Sequence, residues 1–437
     1  MNEQKKLQAI CLTCKTHLHA PLTFPKGFLW GAASSAHQVE GGNTHNDWWT
    51  WEQDGGHIKN DEVSGNATDH YHRFCEDFDL AKQLGQRIHR LSVEWSRIEP
   101  EPGKFNRKAI AHYHDVFDAL KKRKFVIMLT LHHFTNPTWF MKEGGWESRR
   151  AARYFVRFVE KMVKEYGKKI DFWITINEPN VYASNSYFRG VWPPQKHSLF
   201  AYLKVLRNLA WAHRHAYAAI HRRQKHARVG IAQNVFSIES YQWWKFGNFI
   251  KMKLLNYYWN HHFFGMSRDA HDFIGINYYF HARIRKSGLF SIKTIDAREE
   301  HREGSDMGWE VYPIGIFQAI MNMKQYNLPL YITENGIAAV NDDRRSRFIV
   351  SHIKEIYHTI HANADVRGYC YWSLTDNFEW DKGFAPRFGL IEIDYEHDRA
   401  RNPRPSARVY ARICLENGIN HDLLRFMGHG AAPEPET

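Results

Sequence analysis

Eight short apolar runs of strand character are spaced along the chain, and each is followed by a longer stretch of helical character. They are Leu29–Ala33, Ile88–Val93, Phe125–Leu131, Phe172–Asn177, Val229–Asn234, Phe273–Tyr278, Leu330–Glu334 and Gly368–Ser373. In the intervening segments apolar residues recur at helical spacing. Over Tyr154–Tyr166, for example, Phe155, Phe158, Val159, Met162 and Tyr166 share one face, with Arg157, Glu160, Lys161 and Lys164 around the rest. Alternating βα units bury a parallel sheet beneath helices, and eight of them predict an α/β fold, a single (β/α)8 TIM barrel. The competing solution for this order, a doubly wound open sheet, calls for a glycine-rich turn after its first strand. Gly41-Gly42 lacks the G-x-G-x-x-G spacing, and no GKS or GKT occurs.

No Gly/Ser-rich or Pro-rich linker interrupts residues 23–427, which are expected to form one domain. Residues 1–22 read as a flexible extension and 428–437 as a disordered tail. The formal charge of +12 invites a nucleic-acid reading, but the basic residues are spread along the chain. The densest block, Lys121–Lys124, immediately precedes a strand and reads as a solvated turn, so no nucleic-acid partner is expected. No apolar run reaches membrane-spanning length, and no membrane partner is expected. Five cysteines without a secretory pattern suggest a cytoplasmic protein. Cys11, Cys14, His17 and His19 have the residue types of a small metal site, yet an untethered extension is the simpler reading. The chain carries 16 Trp, 21 Tyr and 28 Phe, enough aromatic surface to line a ligand cleft as well as a core.

In such a barrel the C-terminal strand ends ring the active site. The first strand runs into Gln38 and Glu40, and the second carries Arg90 and ends near Glu94-Trp95. The third ends at His132-His133, the fourth at Asn177-Glu178, and the sixth at Asn277-Tyr278-Tyr279. The seventh ends at Glu334-Asn335 and the eighth at Trp372. Glu178 and Glu334 lie three βα units apart at about 52 residues per unit, a spacing that suits one barrel. Two strand-end carboxylates among amides and aromatics suit glycosidic hydrolysis. One protonates the leaving oxygen, and the other attacks the anomeric carbon or activates water.

Thr175-Ile-Asn-Glu-Pro179 and Ile332-Thr-Glu-Asn-Gly336 resemble the two signature segments of glycoside hydrolase family 1, the β-glucosidase and β-galactosidase type. Phe28-Leu-Trp-Gly-Ala-Ala-Ser-Ser-Ala-His-Gln-Val-Glu-Gly41 resembles the family's N-terminal signature. Arg90-Leu-Ser-Val-Glu-Trp-Ser-Arg-Ile98 and Tyr371-Trp-Ser-Leu-Thr-Asp-Asn-Phe-Glu-Trp380 match it further, so the resemblance spans about residues 24–415. It implies a retaining, double-displacement β-glycosidase with no metal or organic cofactor and a small-molecule β-glycoside as partner. By position, Glu178 resembles the general acid/base and Glu334 the nucleophile, with Arg90, Asn277 and Tyr279 supporting the nucleophile. Gln38, His133, Asn177, Glu379 and Trp380 resemble the residues that grip the non-reducing sugar. Trp372 resembles the platform beneath it, and a cis peptide to Ser373 is implied. The charge on Glu334 is expected to raise the pKa of Glu178. Glucose, galactose and fucose present similar hydroxyl fans and stay open as alternatives, as does the oligomeric state.

Three departures from the family pattern stand out. His37 occupies a position where the family often has Tyr, and Asn136-Pro137 replaces the more usual Leu-Pro. The stretch from Trp259 to Phe273 is short, so only residues 260–272 are expected to link strands five and six, leaving a lower cleft mouth. Two rival functions compete. A 6-phospho-β-glycosidase would need cationic or hydroxyl groups for the phosphate, where Glu379 and Asp381 stand instead. A catalytically weak sugar-binding protein would be expected to have lost one carboxylate, and both are present.

Overall fold

The computed structural model describes residues 21–240, 246–286, 292–294 and 301–427. Eight parallel strands close into a barrel: β1 (Leu29–Ala33), β2 (Ile88–Ser92), β3 (Val126–His132), β4 (Phe172–Asn177), β5 (Val229–Asn234), β6 (Phe273–Asn277), β7 (Leu330–Asn335) and β8 (Val366–Trp372). They pair in chain order, and β8 closes onto β1 with Trp372 opposite Ala33. All eight expected strands are present, with ends shifted by at most two residues.

The side chains divide between two cores. Ile88, Met128, Phe172, Ile174, Phe273 and Tyr331 cluster together as the filling of the barrel. A larger cluster, including Leu129, Ile176, Ile231 and Ile332 from the strands, packs against the surrounding helices. The helix Ala151–Tyr166 shows why these segments fold as they do. Its apolar stripe, Phe155, Phe158, Val159 and Met162, is wholly buried, and its charged residues stay at the surface. At Arg107–Lys122 the Asn106 side chain caps the helix by accepting from the amides of Lys108 and Ala109. On the barrel's N-terminal side, Leu22–Thr23 pairs with Gly418–Ile419 and ties the start of the described chain to its end. Cys11, Cys14, His17, His19 and the 428–437 tail lie outside the described residues.

The β5–β6 connection corrects an expectation. It is not a short link over 260–272. It includes a strand at Ser237–Ser240, a helix at Phe246–Asn256, a π-helical turn at Tyr257–His261 and a helix at His262–Ser267. Trp259 lies inside this excursion, so the connection is far longer than residues 260–272 and gives no ground for a lowered cleft mouth. Phe263 and Phe264 are buried in the core, whereas Tyr257 is exposed.

Candidate active site

The C-terminal strand ends surround a cavity of about 330 Å³. Its lining includes Gln38, His133, Asn177, Glu178, Tyr279, Glu334, Trp372, Glu379 and Trp380. Arg90 and Asn277 lie beneath it, fully buried. The structure thus brings together the residues read as catalytic, sugar-gripping or nucleophile-supporting, whereas Glu40, Glu94, Trp95, His132, Tyr278 and Asn335, also placed at strand ends, do not line the cavity.

Local backbone geometry sets the carboxylates in place. Glu178 has φ +43°, left-handed for a residue with a side chain, and caps the helix that starts at Pro179. Proline disfavours the right-handed conformation in the residue before it, so the chain breaks sharply at the end of β4. Phe134 (φ +72°) and Trp380 (φ +51°) share this unusual geometry, and both line the cavity. Beyond β7, a Cβ on Gly336 would sit 1.9 Å from the Trp372 carbonyl oxygen, so only glycine lets this turn pass against Trp372. The Trp372–Ser373 peptide is cis.

Both oxygens of Glu334 are bound. Oε1 accepts from Arg90 Nη1, and Oε2 accepts from the Tyr279 hydroxyl at 2.8 Å. Arg90 also donates through Nη2 to Asn177 Oδ1 at 2.6 Å and through Nη1 to the Thr333 carbonyl at 3.2 Å. A buried guanidinium therefore bridges the ends of β4 and β7 and pairs with the Glu334 carboxylate.

Glu178 is in a different state. Its Oε1 accepts from Asn234 Nδ2 at 2.9 Å and Asn277 Nδ2 at 2.8 Å. Oε2 accepts from none of the described residues. Burial, and after it the charge of Glu334, pushes its pKa up to about 8. The expected cause, Glu334, is present but ranks second to burial. One cavity thus holds an ion-paired carboxylate and a carboxyl that keeps its proton near neutral pH.

Asn277 requires a correction. It supports Glu178, not Glu334. β6 and β7 place Asn277 directly opposite Glu334, but the Thr333 hydroxyl donates to Asn277 Oδ1 at 2.6 Å. That bond turns Nδ2 toward Glu178 and Asn177 Oδ1. Its partner Asn234 escaped the sequence reading altogether. It ends β5, so the strand-end rule that selected the others identifies it too.

The remaining polar residues form one wall. Gln38 Nε2 donates to Asn377 Oδ1 (3.0 Å), the Phe378 carbonyl (2.9 Å) and Glu379 Oε2 (3.2 Å). Burial, then Glu334 and Asp381, raises the Glu379 pKa to about 8. Burial and the nearby Arg90 charge hold the His133 pKa well below its ordinary value, so its ring is neutral. Asn177 Nδ2 donates to His133 Nε2 at 3.2 Å, which assigns the proton to Nδ1, a buried atom with no partner. The imidazole lies near-parallel to Trp372 and Trp380 at centroid distances of 6.0 and 6.1 Å.

The two single-residue departures support this wall from behind. His37 pairs with Glu52 at 2.8 Å and stacks on Trp380 at 5.9 Å and 11°. Burial, the largest single influence, lowers the His37 pKa, but the Glu52 carboxylate together with Glu94 and Asp47 outweighs it and leaves the value raised. Asn136 Nδ2 donates to Asp47 Oδ2 (2.8 Å), the Tyr182 hydroxyl (2.9 Å) and the Phe134 carbonyl (3.1 Å), and its Oδ1 accepts from Trp146 Nε1 (2.8 Å). A leucine could make none of these bonds.

The sequence profile of glycosyl hydrolase family 1 matches residues 20–245 and 256–419. The chain belongs to glycoside hydrolase family 1. It is 29% identical to β-glucosidase A of Thermotoga maritima over 91% of this chain and 98% of that one. It is 31% identical to a β-galactosidase of Sulfolobus acidocaldarius over 92% and 97% of the two chains. A β-glycosidase from Pyrococcus horikoshii superposes with a TM-score of 0.87 at 37% identity, covering 95% of this chain and 99% of that one. The family 1 chain is therefore a β-glycosidase, a glycoside hydrolase of the β-glucosidase and β-galactosidase kind. Among the described residues no three His, Cys, Asp or Glu side chains group as metal ligands, and no helix is long and apolar enough to cross a membrane.

Proposed function

We propose that the protein removes terminal non-reducing β-D-glucosyl, galactosyl or fucosyl residues with retention of configuration. The observation that carries this reading is the unequal pair of carboxyls: Glu334 held by Arg90 and Tyr279, Glu178 buried and protonated. In the first step Glu334 attacks the anomeric carbon while Glu178 protonates the departing oxygen. The bond to the aglycone breaks and a glycosyl ester forms on Glu334. Esterification removes the Glu334 charge, one of the causes that raise the Glu178 pKa. Glu178, now ionised, takes a proton from water as that water attacks the anomeric carbon, and Glu334 leaves as a carboxylate.

Trp372 serves as the platform for the sugar, and Gln38, His133, Asn177, Glu379 and Trp380 meet its hydroxyls. Glu379 and Gln38 lie side by side and can meet adjacent hydroxyls. A 6-phosphate would find little support here, because the Lys382 ammonium is already paired with Asp381 at 2.6 Å. A sugar-binding protein without catalysis would have no use for a buried ion pair on Glu334. Cys75, Cys370 and Cys414 are free thiols, which suits a cytoplasmic location.

The test is to follow hydrolysis of nitrophenyl β-glucoside, β-galactoside and β-fucoside by rate and by proton NMR. The β-anomer of the sugar should appear first with at least one of them. First appearance of the α-anomer, or no turnover across the panel, would overturn the reading.

A further inference from the structure

Fifteen large apolar residues are exposed among the described ones, and eleven of them fall between Phe188 and Tyr257. The helix Phe246–Asn256 is turned inside out. Phe246, Phe249, Ile250, Leu254 and Tyr257, at i, i+3, i+4, i+8 and i+11, form one exposed apolar face, with Phe246 76% and Leu254 63% accessible. Its one buried residue is Asn248. Lys251 and Lys253 sit among the apolar residues, and the Lys253 ammonium lies 5.6 Å from the Phe249 ring centre. A second exposed stripe runs along Leu199–Arg223 through Phe200 (87% accessible), Leu203, Arg207 and Trp211. Ring contacts connect the two regions: Phe188 with Tyr202 at 5.9 Å and Tyr202 with Tyr258 at 6.2 Å. Phe188 adjoins Arg189, which lines the cleft, so the surface reaches the cleft rim. The family profile passes over residues 246–255, so this helix is a feature of the chain outside the family match.

An apolar face that the core does not use is costly to leave in water. We propose that this surface docks on an anionic lipid bilayer. The helix Phe246–Asn256 lies in the plane of the interface with Phe249, Ile250 and Leu254 at the acyl boundary and the lysines at the lipid phosphates. Charge decides between occupants. Exposed Lys204, Arg207 and Lys253 lie on these two helices, so a second copy would bring like charges against them, whereas anionic headgroups complement them. The sequence expectation of no membrane partner rested on the lack of a spanning run, and a helix lying on the surface needs none.

Flotation of the full chain with vesicles tests the proposal. Vesicles of phosphatidylcholine and phosphatidylglycerol at about 7:3 should carry about tenfold more protein than phosphatidylcholine alone at low salt. Phe249→Asp/Leu254→Asp should lower that binding about tenfold, and Phe200→Asp, at a site so exposed that folding is not at risk, should lower it severalfold. Both variants should keep wild-type kcat/KM on a soluble nitrophenyl glycoside. Equal flotation of wild type and variants, or no flotation of the wild type, would overturn the proposal. So would a wild-type dimer in sedimentation velocity that the variants abolish, if vesicles still fail to bind, because the occupant would then be a second copy.

Discussion

Replacing Glu178 with Gln should stabilise the protein by an amount that grows with pH. Its carboxyl is raised from 4.5 to about 8, by burial first and then by the Glu334 charge. Between those values the folded chain holds a proton that the unfolded chain has released. The group's contribution to stability is therefore complete below about pH 4.5 and is lost as the pH rises through about 8. The whole interval corresponds to about 5 kcal/mol at most, of which about 4 kcal/mol falls between pH 5 and 8, and coupling to the neighbouring Glu379 carboxyl reduces this to about 2–3 kcal/mol. Glutamine keeps an Oε1 that can accept from Asn234 and Asn277, and it carries no charge to bury. Unfolding entropy of about 2.1 cal/mol/K per residue over 437 residues converts that range to about 3 °C. Scanning calorimetry at one fixed scan rate should show the Tm advantage of Glu178→Gln over wild type larger by about that amount at pH 8 than at pH 5. An equal advantage at both pH values, or a larger one at pH 5, would refute the claim that Glu178 is buried in its neutral form.

Tyr279→Phe removes the donor to Glu334 Oε2, a hydrogen bond to a charged group, and should lower kcat about 10- to 150-fold in steady-state kinetics with the fold intact. Asn234→Ala removes a bond that favours the ionised form of Glu178, so the alkaline limb of the kcat/KM–pH profile should move to higher pH; a shift to lower pH would contradict the assignment of that limb to Glu178.

The barrel was legible because alternation leaves few alternatives: eight apolar runs, each followed by an amphipathic stretch, have one common closed solution. Seven strand ends were read as site positions, and Asn234 at the eighth was passed over although it obeys the same rule. Asn277 was placed correctly in the ring but against the wrong carboxylate. Strand order makes it the neighbour of Glu334, while the direction of its amide is set by the Thr333 hydroxyl, a contact that only three-dimensional packing decides. The size and main cause of the Glu178 shift were hidden for a related reason. Desolvation depends on Val181, Trp192, Tyr279 and the other groups that close around the cavity, and these are distant from one another in the chain. The helix Phe246–Asn256 was not read from the sequence at all, and apolar periodicity would in any case have told only which residues share a face, not whether that face turns inward. The roles of His37 and Asn136, which looked like simple departures from a pattern, became intelligible only once Glu52, Asp47 and Tyr182 were seen beside them.

The central claim is that Glu334 forms a covalent bond to the sugar with Glu178 as its acid and base. Glu334→Gly, assayed on a nitrophenyl β-glycoside with and without azide, tests it most directly. Without azide turnover should be abolished. With azide it should be partly restored, and the product should be the α-glycosyl azide, because the anion attacks once from the face that Glu334 vacated. Retention of more than about a tenth of wild-type kcat without azide, or formation of the β-glycosyl azide, would contradict the claim.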